Sequence, residues 1–248
     1  MRENLVIPAE EARPALLADV PDAWLIDNVA AVRQTLSRNT YRDNPPARLV
    51  AVTKTVGPGV INRLMELGVA DIGENRAQVA LPKLSQVDPQ FRLHWIGRLQ
   101  TNKVKDIIER VWLLHSLDRL ALAEELERRA DRCGRMLPAL VQVNIAGEAQ
   151  KAGFAAQEVR PFLRLAKDWH NLRIRGLMAI MPLTDDEAAL TGWFRGMREL
   201  FDRLKQEAPE GVAMEELSMG MSHDYPIAAR EGATMVRVGT ALYRGPAA

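Results

Sequence analysis

Cysteine occurs once in this chain, at Cys133, which excludes a disulfide framework and a cysteine-based metal site. Histidine is nearly as scarce. His94, His115, His170 and His223 are scattered, without the spacing of a metal-ligand set. Neither sign of charge dominates, since 33 basic residues meet 32 acidic ones, so no global field directs the chain to nucleic acid or an anionic membrane. No apolar run is long enough to span a bilayer, and the segment from Met1 to Glu11 carries three acidic residues and no signal-peptide core. A cytoplasmic location is the default expectation. No Gly-x-Gly-x-x-Gly turn is found where a dinucleotide-binding fold would place it. Only seven of the 33 basic residues are lysines, so a lysine in an unusual place is informative.

What is present is a regular alternation. Pro21 and Asp22 open a helix whose Leu25, Val29, Val32 and Leu36 fall at helical spacing, ended by the polar stretch 39–46. Strands are then expected at Arg48–Lys54, Val69–Gly73, Arg92–Ile96, Val111–Leu117, Leu137–Ile145, Ile174–Ile180, Glu216–Met219 and Thr234–Leu242. Helical patterns separate them, including one capped by Asp118 and stopped by Gly134, and one with Leu190, Trp193, Phe194, Met197, Phe201 and Leu204 on one face. Eight strands alternating with helices over roughly 200 residues predict an α/β fold of one domain, a single (β/α)8 TIM barrel. The last strand has no helix after it, and the extra N-terminal helix can take the vacant place in the outer ring. Residues 1–20 are expected to be irregular.

In such a barrel the functional side chains gather at the C-terminal ends of the strands. Lys54 ends the first, just before Val56-Gly57-Pro58-Gly59. A lysine there is either a cap that snorkels to solvent or an amine able to form a Schiff base with an aldehyde such as pyridoxal phosphate. Glu74 and Asn75 follow the second strand, and His94 lies on the third, where a core histidine bonded to backbone is the plain alternative. Asn75 and Asn102 also suit helix caps. Arg237 stands in an otherwise apolar eighth strand, and a buried guanidinium needs a partner because it does not lose its proton. Closing the barrel pairs strand eight with strand one and brings Arg237 near Lys54. Arg237 beside a pyridine nitrogen would keep that nitrogen unprotonated. Gly239, Thr240 and the loop Ser218–Ser222 supply the N–H groups and hydroxyls of a phosphate site, in the part of a barrel where such sites recur.

Val50-Ala51-Val52-Thr53-Lys54, Gly73-Glu74-Asn75-Arg76, the block from His94 to Lys103, Val141-Gln142-Val143-Asn144-Ile145, Lys151-Ala152-Gly153, Leu217-Ser218-Met219-Gly220-Met221-Ser222 and Thr234 to Thr240 occur in this order. With them the chain resembles the pyridoxal phosphate homeostasis protein family, whose barrel is similar to the N-terminal domain of alanine racemase. The resemblance implies pyridoxal 5'-phosphate as cofactor, held as an aldimine on Lys54, with Arg237 at the pyridine nitrogen. It implies Ser218, Gly239 and Thr240 at the phosphate, Asn75 near the cofactor and Ser222 as a further candidate. His94 and Lys103 belong to the signature without an assigned role. Val79 stands where an acid is common, and His223-Asp224-Tyr225 replaces a more acidic stretch. The implied function is cofactor homeostasis, with no catalytic residue and no metal, and apo-enzymes that use the cofactor as transient partners. A monomer is expected, with no contact to nucleic acid or membrane. The alternative is an amino-acid racemase or lyase on the same barrel. A two-base racemase needs an acid/base group on each face of the substrate carbon, and the tyrosine-bearing β-domain of alanine racemase is not expected after a strand that ends so near Ala248.

Overall fold

The computed structural model describes residues 20–148 and 150–245; the expected irregular segment lies, apart from Val20, outside them. Eight parallel strands close into a barrel in sequence order: β1 Arg48–Val52, β2 Asp71–Glu74, β3 Arg92–Trp95, β4 Val111–Leu117, β5 Leu137–Val143, β6 Leu172–Ala179, β7 Val212–Met221 and β8 Met235–Val238. The helices around it are α1 Asp22–Arg38, α2 Pro58–Glu66, α3 Ala77–Leu84, α4 Val104–Ile107, α5 Leu120–Arg132, α6 Ala156–Leu163, α7 Glu187–Gln206, α8 Tyr225–Arg230 and α9 Thr240–Tyr243. Among the described residues no helix is long and apolar enough to cross a membrane.

Helix α1 buries Leu25, Val29, Val32 and Leu36, the residues of the predicted stripe. It packs on α8 and α9, and its Asn28 amide donates to the carbonyl oxygens of Leu242 and Arg244 at 3.0 and 2.8 Å. Helix α1 takes its expected place in the outer ring, although the last strand is followed by a four-residue helix, α9, where none was expected. Every strand except β4 differs from its expected span at one end or both. β7 differs most, running from Val212 to Met221 rather than from Glu216 to Met219. Three differences bear on the site. β1 ends at Val52, so Lys54 lies in the following turn. β8 ends at Val238, because Gly239 leaves extended geometry and Thr240–Tyr243 wind into α9. Asp118 does not cap α5: Arg119 holds the cap position, and the Asp118 carboxylate pairs with Arg98 and Arg119.

Strand alternation sorts the barrel into two layers. Leu49, Ala51, Ile72, Leu93, Trp95, Leu114, Leu177, Leu217, Val236 and Val238 face the helices and join the main core. The intervening positions face inward. There Val50, Leu113, Leu140, Met178 and Met235, from five strands, form a second apolar cluster. Other inward positions carry polar groups: Asp71, His94, His115, Ser218 and Arg237, all buried.

Candidate functional site

The C-terminal rim encloses a cavity of about 500 Å³. Val52 and Lys54 form one side, Asn75, Ile96, Gly97 and Arg98 the next, and Gln142 to Asn144 with Gln150 to Ala152 the wall from β5, while Ile180, Met221 and Arg237 complete it.

Lys54 is exposed, two residues beyond its strand, where a buried strand end was expected. Its anchor is the fully buried Thr53. The Thr53 N–H donates to Gly73 O at 3.0 Å and its hydroxyl to Glu74 Oε1 at 2.6 Å. Lys83 Nζ donates to Thr53 O at 2.7 Å and to Glu74 Oε1 at 2.5 Å. The Lys54 amine thus projects from a turn held on every polar atom of the preceding residue. Asn75 caps no helix, since Arg76 holds the position before α3. It packs instead against Gly97, where an added Cβ would lie 2.5 to 2.7 Å from Asn75 Cβ, O and Cα. Only glycine fits that contact.

Arg237 lies opposite Val50 of β1 and Met221 of β7. Three residues of β7 (219–221) advance against two of β8, and Gly220, with φ +92°, makes this bulge possible. The guanidinium is 3% exposed and donates to Ser218 Oγ at 2.6 Å and Ala179 O at 2.8 Å. Burial pushes its pKa down to about 10 against the opposing pull of Asp224, so it stays cationic at neutral pH. Beside it, the N–H groups of Gly239 and Ala241 both donate to Ser222 Oγ, at 3.0 and 3.3 Å. The Ser222 hydroxyl proton is therefore left to donate elsewhere. Thr240 is exposed next to it.

Lys54, Asn75 and Arg237 therefore share one cavity, and Ser222, Gly239 and Thr240 form a second cluster at the end of β8. Ser218 does not belong with them. Its hydroxyl is fully buried, between Arg237 Nη1 and His115 Nδ1 at 2.9 Å, so the expectation that it contacts a phosphate is replaced by a role inside the barrel. His94 bonds to side chains rather than backbone: Nε2 to Asp71 Oδ1 at 2.7 Å and Nδ1 to His115 Nε2 at 2.8 Å. Lys103 lies in a single 3-10 turn, 3.7 Å from Asp106. Cys133 is exposed, and the described residues contain no group of three or more potential metal ligands. The expected site omitted Arg98, Gln142, Asn144 and Lys151, which line the cavity. Their signal was their place at or just after the ends of β3 and β5. Gln142 and Asn144 also shape the wall, donating to Ala152 O at 2.9 Å and Glu148 O at 2.8 Å.

Comparison with known proteins agrees with this architecture. Residues 25–246 match the family model described as alanine racemase, N-terminal domain. The pyridoxal phosphate homeostasis protein of Aquifex aeolicus is 41% identical over 198 residues, covering 79% of this chain and 86% of that protein. The structure of PipY from Synechococcus elongatus with PLP bound superposes with a TM-score of 0.78 at 34% identity, covering 89% of this chain and 100% of that one. Alanine racemase from Bartonella henselae, with a TM-score of 0.69 and 13% identity over 90% of this chain and 59% of its own, shares the fold alone. On this coverage and identity, the chain belongs to the pyridoxal phosphate homeostasis protein family, within the family of the alanine racemase N-terminal domain.

Proposed function

We propose that the chain binds pyridoxal 5'-phosphate, holds it as an aldimine on Lys54, and serves cofactor homeostasis without a reaction of its own. The observation that carries this is the placement of Lys54 and the buried Arg237 around one cavity. The donor set fits the group: an amine for the aldehyde, a cation that only donates for the ring nitrogen, and a hydroxyl with a free proton beside exposed Thr240 for the phosphate. The cofactor when bound supplies an electron sink, and an adjacent guanidinium weakens that sink by keeping the ring nitrogen unprotonated. The relatives named for homeostasis rather than for a reaction support the same assignment. Loading with the cofactor, reduction with borohydride and peptide mapping test it. The label is expected on Lys54 and absent from Lys54→Ala. A label at the same peptide in that variant overturns the assignment.

A further inference from the structure

Among the described residues no carboxylate is hydrogen-bonded to Arg237; its bonds go to Ser218 and Ala179. A buried cation whose hydrogen bonds all go to neutral acceptors, with the Asp224 carboxylate acting on it without a hydrogen bond, is costly, so the next link matters. Ser218 Oγ lies 2.9 Å from His115 Nδ1, His115 Nε2 lies 2.8 Å from His94 Nδ1, and His94 Nε2 lies 2.7 Å from Asp71 Oδ1. Asp71 in turn takes two bonds from Arg92, at 2.8 and 2.6 Å, near the opposite end of the barrel. We propose that Asp71, His94, His115 and Ser218 form a directed hydrogen-bond chain that positions Arg237, ending its positive charge on the Asp71 carboxylate through the barrel interior. The proposal rests on Arg237 as the neighbour of the cofactor's ring nitrogen.

The direction follows from what each group is able to do. Arg237 only donates, so Ser218 Oγ accepts from it. An ionised Asp71 only accepts, so His94 carries its proton on Nε2. If both histidines are neutral, His94 Nδ1 accepts from His115 Nε2–H, and His115 Nδ1 accepts the Ser218 hydroxyl proton. Every donor and acceptor along the chain is then satisfied. A second proton on His94 would reverse both central links, strand the Ser218 proton and add a buried cation beside Arg237. Burial, then the charge His94 would carry if protonated and the charge of Arg237, hold His115 well below its ordinary pKa, in keeping with a neutral His115. Bonds aligned in one sense polarise one another. Asp71, His94, His115 and Ser218 are not among the residues lining the cavity; they are positioning residues acting through Arg237.

Two variants leave the packing nearly intact. Asp71→Asn keeps an acceptor for His94, and Ser218→Ala removes a hydroxyl without adding volume. In nitrogen-15-labelled, cofactor-free protein, long-range proton–nitrogen spectra are expected to show His94 and His115 neutral and protonated on Nε2. In cofactor-loaded protein, both variants are expected to shift the absorption band of the bound cofactor in the direction set by Arg237→Gln, and by less. A wild-type His115 protonated on Nδ1 overturns the chain whatever Arg237 does. A band moved by Arg237→Gln but left in place by Asp71→Asn and Ser218→Ala overturns the positioning role while Arg237 keeps its place at the ring. A band that Arg237→Gln leaves unmoved removes Arg237 from the ring, and the positioning proposal falls with it.

Discussion

Lys83 Nζ stands 2.7 Å from the carbonyl oxygen of Thr53, the residue immediately before Lys54. The ammonium comes from α3, whereas the amine it steadies leaves the end of β1. Lys83 and Glu74 are an ion pair with side chains 3% and 1% exposed, and removing one partner of such a pair strands the other charge. Lys83→Met is therefore expected to cost about 3–5 kcal/mol, read as a shift of the urea denaturation midpoint. The double variant Lys83→Met with Glu74→Leu leaves no orphan carboxylate and is expected to recover much of that loss. A double variant no more stable than the single one would show that the pair does not set the cost.

Much of this was legible in the sequence. Period-2 apolar strands alternating with helical stripes give the barrel, and Arg237 announced itself as a charge on an inward position of an apolar strand. Asp71, His94, His115 and Ser218 carry the same signal, each a polar residue on an inward position. What the sequence did not contain is how they meet: 21 residues separate His94 from His115, and 103 separate His115 from Ser218. The order of partners is set by barrel closure. The same closure drew Ser218 inward and left Ser222 at the end of β8, a distinction hidden by the Gly220 bulge between them. Lys54 was misplaced for a local reason. A short apolar run does not mark where a strand ends, and the buried Thr53 prolongs the strand-like pattern past Val52.

Asp71 gives the fold an acid limit. Burial raises the pKa of its carboxyl, but hydrogen bonds from His94 and Arg92 outweigh this and hold it well below the ordinary carboxylate range. A depressed folded pKa contributes stability that is complete above the unfolded value, about 3.9, and is lost as pH falls toward the folded value. Asp71→Asn is expected to be less stable than wild type by about 2 kcal/mol at pH 7, with the gap narrowing progressively below about pH 4. Denaturation midpoints measured from pH 7 down to pH 3 check this. A gap that stays constant or widens in acid would assign the stabilisation to a group other than Asp71.

Gly97 tests how closely the rim is packed. An added methyl would sit 2.5 Å from Asn75 Cβ and 2.6 Å from its carbonyl oxygen, and backbone on that side has no rotamer by which to yield. Gly97→Ala is expected to cost about 1–3 kcal/mol of stability by overpacking and to displace Asn75 from the cavity wall. Titration with pyridoxal 5'-phosphate should then show weaker binding. Gly192→Ala, on α7 with nothing within 4 Å of the added Cβ, is the control and should bind as wild type.

The remaining prediction separates a carrier from an enzyme on the same barrel. Stereochemical exchange at an amino-acid α-carbon needs one group to remove the proton and a second to return it from the opposite face. On the proposed reading Lys54, which lines the cavity, would serve one face. The other amine of the described lining, Lys151, is ion-paired with Glu148, and Arg237 as ring neighbour would weaken the electron sink that proton removal requires. Deuterium exchange at the α-carbon of alanine and serine, followed in deuterated buffer with cofactor-loaded protein, is therefore expected below about 10⁻² s⁻¹, against the 1–10³ s⁻¹ of ordinary enzymes. Exchange within the enzyme range, accompanied by inversion at the α-carbon and abolished by Lys54→Ala, would make the protein a racemase and turn Lys54 from an anchor into a base.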